Sequence, residues 1–229
     1  MPQTIHVECP VCQTKASKTI ETSINAQNQP TLKESLLDGS LLAFECDQCG
    51  AKRQIETQIM YHDPDKHWLI YVAPNYHDHQ EAIIKGLSNI LMQDGIDIDD
   101  YHLRIVTTVP QLVEKIHIID NGFDDQTMEV VKLLTDGLFA QQEPDRKVIH
   151  RYFMRKEDDF KFLYLTEDEQ LLVDYHPTLT EFVEDKFGKE LQNDYLGQFI
   201  LVDREWATNI AEHRPGSLSG EEENQPSSN

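Results

Sequence analysis

Cys9-Pro10-Val11-Cys12 and Cys46-Asp47-Gln48-Cys49-Gly50 decide how this chain is read, and they hold all 4 cysteines of a 229-residue sequence. A C-x-x-C turn sets two thiolates on one side of a tight loop, at the separation a tetrahedral ion requires. Two such turns give the four-cysteine set of a closed structural zinc site. Cys9, Cys12, Cys46 and Cys49 are therefore the expected ligands of one structural Zn2+ per chain. The rivals are a redox dithiol and plain buried cysteines. A redox motif needs only one pair, and neither pair opens a helix after a strand in the thioredoxin manner. Gly50 permits the positive φ that turns backbone N–H groups towards thiolate sulfur, and Gln13 stands in the matching place after the first pair.

Working outward, Ile5-His6-Val7-Glu8 alternates as a strand that delivers Cys9. Thr19–Ile24 alternates again. Residues 30–37 read as a short helix, with Pro30 near its start and Gly39 just past its end. Leu41–Glu45 enters the second pair as a strand, and Gln54–Met60 leaves it. His62-Asp63-Pro64-Asp65 has turn composition, and His67–Val72 is strongly β-like. The 33 residues between Cys12 and Cys46 exceed the roughly 15–20 of compact ribbons, which fits an inserted strand and helix.

Near Pro74 the pattern changes. Ile83, Ile84, Leu87, Ile90 and Leu91 share a helical face within residues 80–92. Leu103–Thr107 reads as a strand. Thr108 and Gln111 form a capping box, and Asp124 caps a further helix with Val130, Val131, Leu133, Leu134 and Leu138 expected inside. A hairpin turns at Glu157-Asp158-Asp159, followed by a strand over 170–175, a helix over 179–191, a strand over 198–202 and a helix over 205–212. The expected class is α+β: a small antiparallel zinc-ribbon-like β module over 1–76, then a mixed α+β module over 77–213. Residues 214–229 carry almost no apolar side chains and are expected to be a disordered tail.

The net charge is −21, of which −15 falls on residues 80–212. Phosphate binding relies on Lys and Arg, so this field disfavours nucleic acid. No run approaches the ~18 apolar residues of a membrane helix. The opening residues have neither a basic start nor an apolar stretch, so no secretory signal is expected. A cytoplasmic location follows, where thiols stay reduced and metal is favoured over disulfides.

The stretch from Cys9 to Pro74 closely resembles the CpXC domain, a bacterial and archaeal family named for its Cys-Pro-x-Cys pairs. Beyond the knuckles, Pro30-Thr31-Leu32-Lys33, Leu37-Asp38-Gly39, Tyr61-His62-Asp63-Pro64 and Tyr71-Val72-Ala73-Pro74 occur in order at suitable distances. Residues 103–134 also look like the segment C-terminal to this domain in such proteins. Asp47 departs from the proline of the family name. The resemblance implies a cysteine-based metal domain and no activity.

His62, His77 and His79 could belong to a second metal site, yet no H-E-x-x-H occurs, and surface histidines in turns are the simpler account. Asp97, Asp99, Asp100, Asp124 and Asp125 could serve acid–base work or a divalent ion. Helix caps and solvated loops are the default reading for them. No nucleophile or phosphate-loop motif is present. The preferred function is a zinc-stabilised binding or scaffold module with an unknown protein partner. An enzyme assembled from dispersed histidines and carboxylates is the alternative. A nucleic-acid-binding ribbon using Lys15, Lys18, Lys52 and Arg53 is third.

Overall fold

The computed structural model describes residues 2–94, 97–191 and 195–212. The expected tail, 214–229, lies outside the described residues. The chain divides into two compact units. One runs through Val113 and takes in Tyr195–Phe199, and the other starts at Glu114 and resumes at Ile200.

The first unit contains β1 (Pro2–Glu8), β2 (Lys15–Glu21), β3 (Ser23–Asn25), α1 (Pro30–Leu37), β4 (Ala43–Glu45), β5 (Lys52–Gln54), β6 (Met60–Asp63), β7 (Trp68–Val72), α2 (Tyr76–Asp94) and β8 (His102–Val106). α1 follows the sequence reading: Pro30 opens it, and Gly39 leaves it at φ 79°. Two antiparallel hairpins, β1–β2 and β4–β5, carry the cysteine turns. A mixed sheet carries β8, β7, β6 and β3 in adjacent order; β6 and β7 are antiparallel, while β3 pairs parallel to β6 and β7 parallel to β8. The shift in character near Pro74 is thus a change from strand to helix inside a β7–α2–β8 crossover. β8 belongs to the first unit's sheet, beyond the 76/77 division expected from composition.

His62 and Asp63 are not in a turn. They pair with Leu69 and Trp68 as the end of β6, and the reversal is made by the following residues, where His67 adopts φ 56°. Ladder pairing overrides the turn composition of His62-Asp63-Pro64. Ile59, Leu69, Ile70, Val72, Leu103 and Ile105 are buried and form the centre of this unit. Arg104 lies among them, fully buried, its guanidinium 5.0 Å from the Trp68 ring.

α3 (Val109–Asp120) spans the division between the units. The second unit then adds α4 (Asp125–Gln142), β9 (Val148–Lys156), β10 (Asp159–Thr166), β11 (Gln170–Asp174), α5 (Pro177–Leu191) and α6 (Arg204–Ala211), with β12 (Phe199–Leu201) at the join. β9–β10–β11 form an antiparallel sheet, and the hairpin turn is made by Glu157 at φ 57°. Phe153 and Phe162 face inward, and Phe123, Phe160 and Tyr175 meet Phe153 edge-on or stacked. α4 packs against α5 and α6. Val130 and Val131 are buried as expected, but Leu138 is 46% exposed and Phe139 is buried beside it. Small antiparallel sheets, one mixed sheet and separate helices make the class α+β.

Candidate metal centre

Each cysteine turn closes the hairpin that carries it. β1 and β2 stay paired up to Glu8 and Lys15, so the first turn starts at Cys9. There the Cys9 N–H donates to Thr14 O at 2.9 Å and the Gln13 N–H donates to Cys9 O at 2.9 Å. The second turn repeats this pattern after Glu45 pairs with Lys52. The Cys46 N–H donates to Ala51 O at 2.9 Å, and the Gly50 N–H donates to Cys46 O at 2.8 Å. The residue after the second cysteine is left-handed in both, at φ 59° for Gln13 and φ 71° for Gly50. Gln13 thus holds a conformation that suits glycine better.

The two turns bring the four sulfurs together, with all ligand atoms within 4.8 Å of one another. The closest approaches run between the turns: Cys9 Sγ to Cys49 Sγ and Cys12 Sγ to Cys46 Sγ are each 3.5 Å. A tetrahedral ion with sulfur at ~2.3 Å has an S–S edge of about 3.8 Å, which falls between the 3.5 Å contacts and the 4.8 Å limit of the cluster. Cys9 and Cys46 are buried, Cys12 and Cys49 exposed. Such a group can hold a metal ion.

Electrostatics agree with the geometry. Hydrogen bonds from the Thr14 side chain and backbone hold the Cys12 thiol down to about 6. The backbone N–H groups of Cys12 and Val11 hold Cys9 below the usual thiol value. The Ala51 N–H favours a Cys49 thiolate, yet the crowding sulfur of Cys12, burial, and the sulfurs of Cys9 and Cys46 push that thiol up to about 12. Backbone and hydroxyl donors therefore favour thiolates at Cys9 and Cys12, while the neighbouring sulfurs and burial favour the protonated form of Cys49. A bound cation removes that conflict.

A family model described as CpXC protein matches residues 7–132, more than half of the chain. The chain belongs to the CpXC family. No curated protein and no solved structure matches it. The CpXC match takes in both cysteine turns, the strands β3 to β8 and α3, and ends inside α4. Within CpXC terms Asp47 replaces a proline, and the backbone bonds around it repeat those around Pro10. The substitution leaves the turn intact.

The histidines and carboxylates of the CpXC segment are spread out. His62 Nε2 lies 3.1 Å from the Tyr101 hydroxyl, and His67 Nδ1 lies 2.9 Å from Asp100 Oδ2 with its ring stacked on Tyr101. Burial holds His62 below the usual imidazole value, against the raising effect of Asp63. His77 and His79 lie in the first turns of α2, where His79 breaks the helical dihedrals. Among the described residues, the four cysteines are the group of three or more His, Cys, Asp or Glu placed to hold a metal. Asp97 Oδ1 accepts from the Asp99 N–H, and Asp124 Oδ1 accepts from the Thr127 N–H at 2.7 Å as the cap of α4. Asp125 departs from the solvated reading. It is fully buried and bonded at 2.8 Å to Lys115 Nζ. Sequence reasoning missed the other buried charges of the second unit, Glu114, Glu129 and Lys132.

Of the basic residues near the knuckles, Lys52 is paired with Glu45 at 3.2 Å and Lys18 Nζ donates to Ala43 O. Of these two contacts only the one to Glu45 offsets a positive charge, since a neutral carbonyl acceptor leaves the Lys18 ammonium charged.

Proposed function

We propose that the metal held by Cys9, Cys12, Cys46 and Cys49 is one Zn2+ per chain, and that it serves structure rather than reaction. The observation that carries this reading is the closing of four sulfurs at near-tetrahedral spacing. Four thiolates satisfy zinc completely and leave no coordination position for a water or substrate. The ion ties the β1–β2 hairpin to the β4–β5 hairpin, and it supplies the positive charge that the clustered thiolates require.

The chain then works as a binding or scaffold protein in the cytoplasm, with a protein as its partner. The charge of −21 supports a partner other than nucleic acid, since counterion release needs a basic surface. Elemental analysis of untagged protein, combined with thiol titration, tests the metal. One zinc per chain and slow-reacting thiols are expected. Four fast-reacting thiols without metal, in zinc-replete reducing buffer, would overturn the reading. Affinity capture with wild type and with Cys46→Ser tests whether the zinc-held end presents the partner site. Equal capture by both places the partner elsewhere.

A further inference from the structure

The second unit buries charges at its centre. Along α4, Asp125, Glu129, Lys132 and Asp136 follow one another at steps of four, three and four residues, so they form a single stripe on one helix face. Every member of that stripe meets an opposite charge. Lys132 Nζ lies 2.8 Å from Glu114 Oε1 on α3 and 2.9 Å from Glu129 Oε2. Lys115 on α3 bonds Asp125. Arg151 on β9 reaches Asp136 Oδ2 at 2.8 Å and Glu129 Oε1 at 3.8 Å. Arg204 on α6 reaches Asp136 Oδ2 at 3.0 Å, and the Tyr164 hydroxyl on β10 donates to Asp136 Oδ1 at 2.9 Å. Glu114 Oε1 also accepts the Phe153 backbone N–H at 2.6 Å, which ties α3 to β9.

Acids and bases balance within these pairs. Glu114, Asp125, Glu129 and Asp136 face Lys115, Lys132, Arg151 and Arg204. Their placement differs from that of a catalytic centre, because each charge lies against an internal partner, and all of them except Arg204, which is 59% exposed, are buried or nearly so. Burial favours the neutral form of Lys132, yet Glu114 and Glu129 hold it above the usual lysine value. A buried ion pair adds little net stability over an apolar pair of similar size, but removal of one partner is strongly destabilising. What such a set supplies is discrimination: an apolar α4 could rotate or slide against β9–β10, whereas this one has a single position at which every charge is met.

The family match divides the set. Glu114, Lys115, Asp125, Glu129 and Lys132 lie within residues 7–132, while Asp136, Arg151, Tyr164 and Arg204 lie beyond them. We infer that these ion pairs, buried except at Arg204, are a registration device that fixes α4 against α3, β9, β10 and α6, so that the segment after residue 132 completes the packing of α3 and α4 and is no separate appendage. The inference is independent of the metal.

The test uses the full chain with zinc bound. Trp68 and Trp206 are the 2 tryptophans, so a Trp68→Phe background leaves Trp206 as a reporter of the second unit. Lys132→Met strands two buried carboxylates and is expected to shift the unfolding equilibrium by about 10²–10³-fold. Glu114→Gln combined with Lys132→Met keeps the charge balanced and keeps an acceptor for the Phe153 N–H. That double variant is expected to recover at least about tenfold of the loss, while the slow amide exchange of α4 and β9 is lost because position is no longer specified. Wild-type exchange protection in the double variant would overturn the registration role. A double variant as unstable as Lys132→Met alone would overturn the coupling itself.

Discussion

Withdrawing the proposed zinc should release one end of the first unit and leave the rest folded. The perturbation is Cys46→Ser, or chelation of the intact protein. Without the ion, the two turns keep four backbone hydrogen bonds, from the N–H groups of Cys9, Gln13, Cys46 and Gly50. Each is worth about 1 kcal/mol net. A structural zinc contributes apparent free energy on the order of 10 kcal/mol or more, so the ion outweighs those bonds at least twofold. That loss is comparable to the whole stability of a domain, about 5–15 kcal/mol. It falls hardest on the β4–β5 hairpin, whose strands have only 3 residues each, against 7 each for β1 and β2. The mixed sheet stands on different ground: Leu69, Ile70, Val72, Leu103 and Ile105 bury their side chains without using sulfur. Hydrogen exchange followed by residue is the assay. The four turn amides should move to fast exchange, and those of β7, β8 and α4 should stay slow. Slow exchange at the turn amides after the ion is shown to be gone would refute the reasoning, and so would global unfolding.

Three further outcomes are expected. A Cβ at Gly50 meets nothing within 4 Å, so Gly50→Ala should cost about 1 kcal/mol through its φ of 71° alone; Gln13→Gly should be neutral or gain up to about that amount, both read from zinc-bound unfolding midpoints. His62 is held below its ordinary value of 6.5 by burial, so its neutral form stabilises the fold above that pH and this contribution is lost as the pH falls through the folded value; Trp68 fluorescence melts should show wild type losing stability on acidification faster than His62→Gln. Asp124→Ala removes the acceptor for the Thr127 N–H and should cost about 1 kcal/mol, seen in Trp206-reported melts.

The parts of the fold governed by neighbouring residues are legible in the sequence. The cysteine turns, α1 between Pro30 and Gly39, the capping of α3 by Thr108 with Gln111, the cap at Asp124 and the β9–β10 hairpin all rest on short-range chemistry. The parallel pairing of β3 with β6 and of β7 with β8 is not, because parallel partners are distant in sequence and their strands carry no turn signal between them. His62-Asp63 has the composition of a turn, and pairing to Leu69 and Trp68 decides otherwise. The gathering of the four cysteines is legible from spacing alone. Which sulfurs approach most closely is not, since the 3.5 Å contacts cross between turns.

The buried charges show a different limit. A solvated Asp125 is the expectation from sequence because carboxylates are usually exposed. The signal against that expectation lies in α4 itself. Met128, Val130 and Val131 point in several directions around the helix, and all three are buried. A helix apolar on several sides is an interior helix. Charges at Asp125, Glu129, Lys132 and Asp136 on such a helix must then be interior too, and interior charges must be met. The alternation of β9 offers one candidate for meeting them: Arg151 shares a face with Phe153, the side that packs inward. Burial of the helix, forced by its apolar residues, therefore implies both the ion pairs and one of the strands that supplies them.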